Sequence, residues 1–208
     1  MLPPAIEQEI TELSQRFGTP VRRTVLIANE GLFDPLGKPD RYGEVCMVVR
    51  RTNGKLLTAR KTFYPDNAYR LLTGGISHGE PIFDALLRET EEETGLEVEV
   101  RRFLAVIDYR LERPAGKTPP NRPKNAPSFH TFAFLLDELG GTLACYDPDE
   151  RVEDFRDVAV AELPVLARHL RQLGQDFNPD IHGRWRDWGR FRAVIHDVVH
   201  ETLRSEPS

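Results

Sequence analysis

Residues 73–95 read TGGISHGEPIFDALLRETEEETG. Pro81 suits the first turn of a helix, where a missing N–H has no partner to lose, and Gly95 suits the position just past its end. At 100° per residue, Phe83, Leu86, Leu87, Thr90 and Thr94 form one narrow stripe, which predicts a core-facing side. Glu89, Glu92 and Glu93 fall on an adjoining face at spacings of three and four, and Glu91 points elsewhere. Like charges at such spacings cost about 0.2–0.5 kcal/mol per pair on an exposed helix. They also stand near the helix C-terminus, where the dipole disfavours anions. Arg88 is the only basic residue of the helix. A run of glutamates is ordinarily a solvated face, but a hard divalent cation such as Mg²⁺ takes oxygen ligands and reverses the sign of the arrangement.

The spacing favours the second reading. Gly74, Glu80, Arg88, Glu89, Glu92, Glu93 and Gly95 fit G-x5-E-x7-R-E-x-x-E-E-x-G, a match expected by chance about once in a million chains of this length. The pattern resembles the Nudix box and is complete at those positions. Leu96 is apolar as in the family, whereas Thr90 stands where an aliphatic residue is commoner. The resemblance implies an α/β/α sandwich with a mixed sheet. It implies metal ligands at Glu89, Glu92 and Glu93, with the Thr73 carbonyl as a further ligand. Arg88 would hold a glutamate in place and Glu80 would tie the loop to the helix. The general base would be Glu92 within the box or an acid from a later loop, Glu153 first and Glu150 second. Gly74 and Gly75, with Arg60 and Arg70, would contact substrate, and Lys61 lies beside them. The implied reaction is Mg²⁺-dependent (Mn²⁺ as alternative) cleavage of a phosphoanhydride in a nucleotide: an NDP-sugar, ADP-ribose or NTP. Two rivals remain, a non-catalytic nucleotide-sensing regulatory domain, and an isoprenoid-diphosphate isomerase, which would need Cys46 or Cys145 as a reactive thiol.

Outward from the box, Ile6, Ile10, Leu13 and Phe17 recur at helical spacing until Gly18 and Pro20 stop them. Strands are expected at Val21–Ala28, Glu44–Val49 and Leu56–Arg60, with Asn53-Gly54 as a hairpin turn between the last two. A short strand at Tyr69–Leu72 precedes the glycines. Glu97–Leu111 and Phe129–Leu136 read as strands flanking a proline-rich, basic loop at 113–127 that would serve as a lid. Acidic residues crowd 147–157, and Ala161–Leu173 and Trp188–Leu203 read as helices. The expectation is one α/β domain over residues 1–208, with a core at about 20–166, an N-terminal helix and a C-terminal helical extension.

The chain has 208 residues, a net charge of −5, 39% hydrophobic and 29% charged residues. That balance suits a globular protein and argues against non-specific nucleic-acid binding, which draws on basic charge. It leaves room for a small-molecule nucleotide in a locally basic pocket. Cys46 and Cys145 lack metal or disulfide spacing and read as thiols of a reducing compartment. No run reaches the length of a membrane span, so the expected location is cytoplasmic. A homodimer is compatible with the terminal helices. His196 and His200 in HDVVH lack the glutamate of a zinc-protease motif and read as flanks of the apolar stripe Trp188, Phe191, Ile195, Val198 and Thr202. The arginines and aromatics of 184–192 read as an amphipathic helix in preference to a single-strand-binding surface.

Overall fold

Alternation along the second strand shows how the sheet is covered. In β2 (Arg41–Arg50), Val45, Met47 and Val49 join one core, Cys46 and Val48 join another, and all five are fully buried. A period-two strand buried throughout requires packing on both faces. The computed structural model describes residues 2–28, 33–112 and 129–205. The other strands are β1 (Val21–Ala28), β3 (Leu56–Lys61), β4 (Arg70–Ser77), β5 (Leu96–Glu112), β6 (Phe129–Gly141) and β7 (Val152–Val158), followed by a two-residue hairpin, β8 (Phe177–Asn178) and β9 (Gly183–Arg184). The first seven form a mixed sheet in the order β1-β5-β6-β2-β4-β3-β7, with β1–β5 and β2–β6 parallel and the other neighbours antiparallel. Helices α1 (Pro4–Phe17) and α2 (Ile82–Thr94) cover one face; α3 (Leu163–Arg171) and α4 (Trp185–Arg204) cover the other. This is the expected α/β/α sandwich. Among the described residues no helix is long and apolar enough to cross a membrane.

Helix α2 ends as its sequence predicts: Gly95 adopts a left-handed φ of 62° and returns its N–H to the Glu91 carbonyl. Its start is held from outside. Glu9 on α1 accepts the free N–H of Phe83 at 3.1 Å, placing an anion at the positive end of the dipole. Phe83 also stacks on Phe17 of α1 at 5.7 Å. The buried side of α2 is rotated from the expected stripe. Ile82, Ala85, Leu86, Glu89, Thr90, Glu93 and Thr94 are buried, while Leu87 is 41% exposed. Two glutamates thus lie on the inward side. Thr90 and Thr94 return their hydroxyls to the carbonyls of Leu86 and Thr90, which satisfies them in an apolar setting.

Other boundaries shift. The short strand expected at Tyr69–Leu72 runs on to Ser77, because Gly74 and Gly75 pair with Val45 and Glu44 of β2 and so belong to the sheet, not to a loop. Helix α4 begins one turn earlier than its apolar periodicity suggests, at Trp185. The 113–127 lid expected from sequence lies outside the described residues.

The sheet opens where β4 passes from β3 to β2, and the Leu71 N–H leaves the ladder to meet His196 Nε2 of α4 at 3.1 Å. The opposite ring nitrogen donates to the Arg192 carbonyl at 2.8 Å, so the ring is neutral and locked in one tautomer. Burial lowers its pKa from 6.5 to about 4, with nearby Arg70 and Arg192 acting in the same direction. This histidine is therefore a fold element. Because the folded pKa is depressed, the unfolded chain binds the extra proton between pH 6.5 and about 4, and stability falls across that window as pH drops. Urea midpoints compared at pH 7.5 and pH 5 should fall more for the wild-type chain than for His196→Gln; equal falls would mean that His196 does not carry the acid sensitivity.

Candidate active site

The end of the sheet beside α2 gathers carboxylates from separate elements. Glu89 and Glu93 come from the inward side of α2, and Glu150 comes from a single 3-10 turn (Pro148–Glu150) between β6 and β7. One carboxylate oxygen from each lies within 4.8 Å of the others. Glu93 is 1% exposed, and its Oε1 has no hydrogen-bond partner among the described residues. Burial drives its pKa up to about 8 against the opposing charges of Lys61 and Arg70, and Glu150 pushes it further. Glu89 is raised as well, again first by burial, with Arg88 opposing.

Two cations hold this arrangement. Lys61, the last residue of β3, bonds Glu150 and lies 3.8 Å from Glu93. Burial pushes the Glu150 pKa up, but Lys61, with help from Glu93 and Arg70, outweighs it and leaves the pKa below the usual glutamate value. Arg88 fans out over four groups. Its Nε and Nη2 donate to Glu80 at 2.8 and 3.0 Å, Nη2 also reaches the Gly75 carbonyl at 3.1 Å, and Nη1 donates to both Glu89 and Glu92 at 2.9 Å. Glu80 in turn accepts the Ser77 N–H at 2.9 Å, which closes the loop between β4 and α2.

The two glycines are required by space. A Cβ on Gly74 would stand 2.1 Å from the Glu89 carboxyl carbon, and one on Gly75 would stand 2.2 Å from Arg41 Nη1. Absent side chains let the strand backbone and these charged groups come together. The cleft they border has a volume of about 290 Å³ and is lined by Glu89, Glu150, Lys61, Arg70, Trp188 and Arg192.

Placement differs from expectation in four respects. Glu150, the second choice for the base, stands in the carboxylate cluster; Glu153, the first, is 42% exposed and pairs with Arg60 at 3.0 Å. The turn that presents Glu150 has ended before β7 begins, so Glu153 lies along an edge strand. Arg60 is accordingly outside the cleft, whereas its neighbour Lys61 lines it. Glu92 is the more exposed member of the box and touches Arg88, outside the tight group of three. Thr73 uses its hydroxyl to accept from both Arg70 and Arg192 at 3.0 Å, a role its carbonyl assignment did not include. Sequence reasoning missed the buried pair of Glu44 with Arg192, since 148 residues separate them.

The chemistry of this donor set fits a hard divalent cation. Three carboxylates converge, one oxygen is buried without a partner, and the protons that burial favours would be displaced by a metal charge. Gly74→Ala should push the Glu89 carboxylate aside. Arg88→Lys should weaken Mn²⁺ binding roughly 10–100-fold, since an ammonium cannot replace a planar fork bonded to four groups. Calorimetric titration of Mn²⁺ into folded protein measures both, and unchanged affinity in the two variants would remove the cluster as a metal site.

A family model described as the NUDIX domain matches residues 41–179, which include every residue of this cluster. The chain is 28% identical over 140 residues to an ADP-ribose pyrophosphatase of Methanocaldococcus jannaschii, covering 67% of this chain and 72% of that one. It is 29% identical over 124 residues to the NAD-capped RNA hydrolase NudC of Vibrio atlanticus, covering 59% of this chain but only 39% of that protein. A crystal structure of a UDP-X diphosphatase aligns at a TM-score of 0.47 and 16% identity, over 84% of this chain and 69% of that one. With the box complete, its carboxylates gathered at one end of the sheet, and the domain model spanning most of the sequence, the chain belongs to the Nudix hydrolase family.

Proposed function

We propose that this Nudix hydrolase cleaves a phosphoanhydride bond in a nucleoside diphosphate derivative (NDP-sugar, ADP-ribose or NTP class), with Mg²⁺, or alternatively Mn²⁺, held by Glu89 and Glu93, and with Glu150 beside them. The observation that carries this reading is the convergence of those three carboxylates beside a cleft that also exposes basic groups. Glu92, on the same Arg88 amino group as Glu89, is a fourth carboxylate at the open side. When bound, a divalent cation supplies charge neutralisation on the phosphates and a water acidic enough to serve as nucleophile near neutral pH.

The protein's own residues do the rest. Glu150 takes the proton of the attacking water: it is ionised, it borders the cleft, and Lys61 fixes its direction. Lys61 and Arg70 also line the cleft, where they meet the charge that gathers on phosphate oxygens as the anhydride breaks. Arg88 keeps Glu89 and Glu92 from swinging apart under mutual repulsion. The Arg88–Glu80 pair anchors the loop that presents Gly74 and Gly75. The ADP-ribose pyrophosphatase relative supports a dinucleotide-like or sugar-linked diphosphate within the class. Two free cysteines, one buried and one half-buried, suit a cytoplasmic setting.

A panel of nucleoside triphosphates, nucleotide sugars, ADP-ribose and dinucleotides should yield a cleaved class with Mg²⁺ and none with EDTA. On that substrate, Glu150→Gln should lower kcat by about 10²–10⁴, the range of a lost general base, while Glu153→Gln stays within a few-fold. The reverse ranking would return the base role to Glu153. Nucleotide binding by folded protein without any cleavage would favour the sensory reading.

A further inference from the structure

The family model ends at residue 179, yet the cleft does not. Part of its lining comes from α4, which begins at Trp185 and brings Trp188 and Arg192 into the cleft with Arg70 of β4. Arg192 is 7% exposed and Arg70 is 4% exposed. Both point an Nη1 at the same Thr73 hydroxyl, each at 3.0 Å, so two guanidinium groups converge on one neutral acceptor. The same Nη1 of Arg192 donates to both oxygens of Glu44, at 2.9 and 2.7 Å. Among the described residues these bonds all leave from Nη1, and the buried Nε has no partner. Arg70 is bonded to the Tyr64 hydroxyl, the Leu71 carbonyl and Thr73, all neutral. Among the described residues, these two buried cations thus have one carboxylate in direct contact.

Two buried guanidinium groups that share one contacting carboxylate carry more positive charge than that carboxylate offsets, and both line the cleft. Glu93 and Glu44 act on Arg70 by their charge, and a cation at the carboxylate cluster would offset that of Glu93. We propose that Arg192, supplied by the C-terminal helix beyond the matched domain, is a substrate-binding residue that with Arg70 forms an anion receptor for phosphate oxygens. It rests on the reading of this cleft as a phosphoanhydride site. The glutamates would then hold the cation, and the two arginines would bind phosphate oxygens. Helix α4 is part of the active site, and Trp188, with its ring 5.9 Å from the Arg192 guanidinium, backs the receptor.

The test is titration calorimetry with inorganic pyrophosphate in EDTA, which reads the receptor apart from turnover. The wild-type chain should bind, and Arg192→Gln should weaken binding on the order of ten- to a hundredfold, as expected for charge-assisted hydrogen bonds. Arg192→Lys, which keeps the charge but loses the fork, should recover only part. On the substrate found by the panel, Arg192→Gln should raise KM by a similar factor with a smaller change in kcat. If removing Arg192 leaves Glu44 stranded and the protein misfolds, the double variant Glu44→Gln with Arg192→Gln removes both charges and is read in the same way. Pyrophosphate affinity within twofold of wild type in a folded variant overturns the proposal, as does failure of the wild-type chain to bind pyrophosphate without metal. Absence of turnover with pyrophosphate binding intact would count against the hydrolase reading and leave the receptor standing.

Discussion

The gathering of Glu89, Glu93 and Glu150 in one partly buried place is the constraint to which the rest of the site answers. These carboxylates are held within 4.8 Å of one another, where burial first, and the Glu150 charge after it, opposes the ionisation of Glu89 and Glu93. Such a cluster persists only if the scaffold fixes it. Helix α2 turns two of the three inward on one side with Leu86 and Thr90, the 3-10 turn after β6 brings the third, and β3 ends in the lysine that lies between them. Arg88 then links the outer side of the cluster to the loop that precedes the helix.

Packing on the far face serves the same end. His196 fills the gap where β4 changes neighbours, so Leu71 keeps a partner while the strand bends toward the glycines. One helical turn earlier, Arg192 reaches into the cleft. A single helix thus closes a defect in the sheet and presents a cation beside Thr73. This gives the C-terminal extension a reason to be docked: it completes both the core and the cleft wall. Tyr64, packed against Trp188 at 4.7 Å and donated to by Arg70 Nε, joins the aromatic core to the charged floor.

The position of Glu150 illustrates how a short turn places a carboxylate. Arg151, directly after Glu150, adopts a left-handed φ of 54°, donates to Asp180 at 2.7 Å and lies over the Phe63 ring at 4.4 Å. Its carbonyl accepts the Thr62 N–H at 2.9 Å. Three residues from two segments therefore fix Arg151, directly beside Glu150. By contrast, Glu153 follows the pleat of an edge strand and meets Arg60 at the surface. Residues three apart in one acidic stretch thus have different fates, and no charge pattern distinguishes them.

Local sequence determined much of this protein. Helix α2, its glycine cap, the Arg88–Glu80 link and the glutamates of the box are set by spacings of a few residues, where helical geometry maps sequence onto space. The strand at Glu44–Val49 was likewise legible from the unbroken apolar run that follows Glu44. Tertiary structure alone decided which glutamates face inward, since rotation of the buried stripe depends on what packs against the helix. It also decided that Gly74 and Gly75 lie in a strand and that Glu150 outranks Glu153 at the cluster. Arg192 of the last helix meets Glu44 of the second strand only through long-range packing. Such contacts join residues far apart along the chain, and their geometry is set by the sheet order, which no short window of sequence contains.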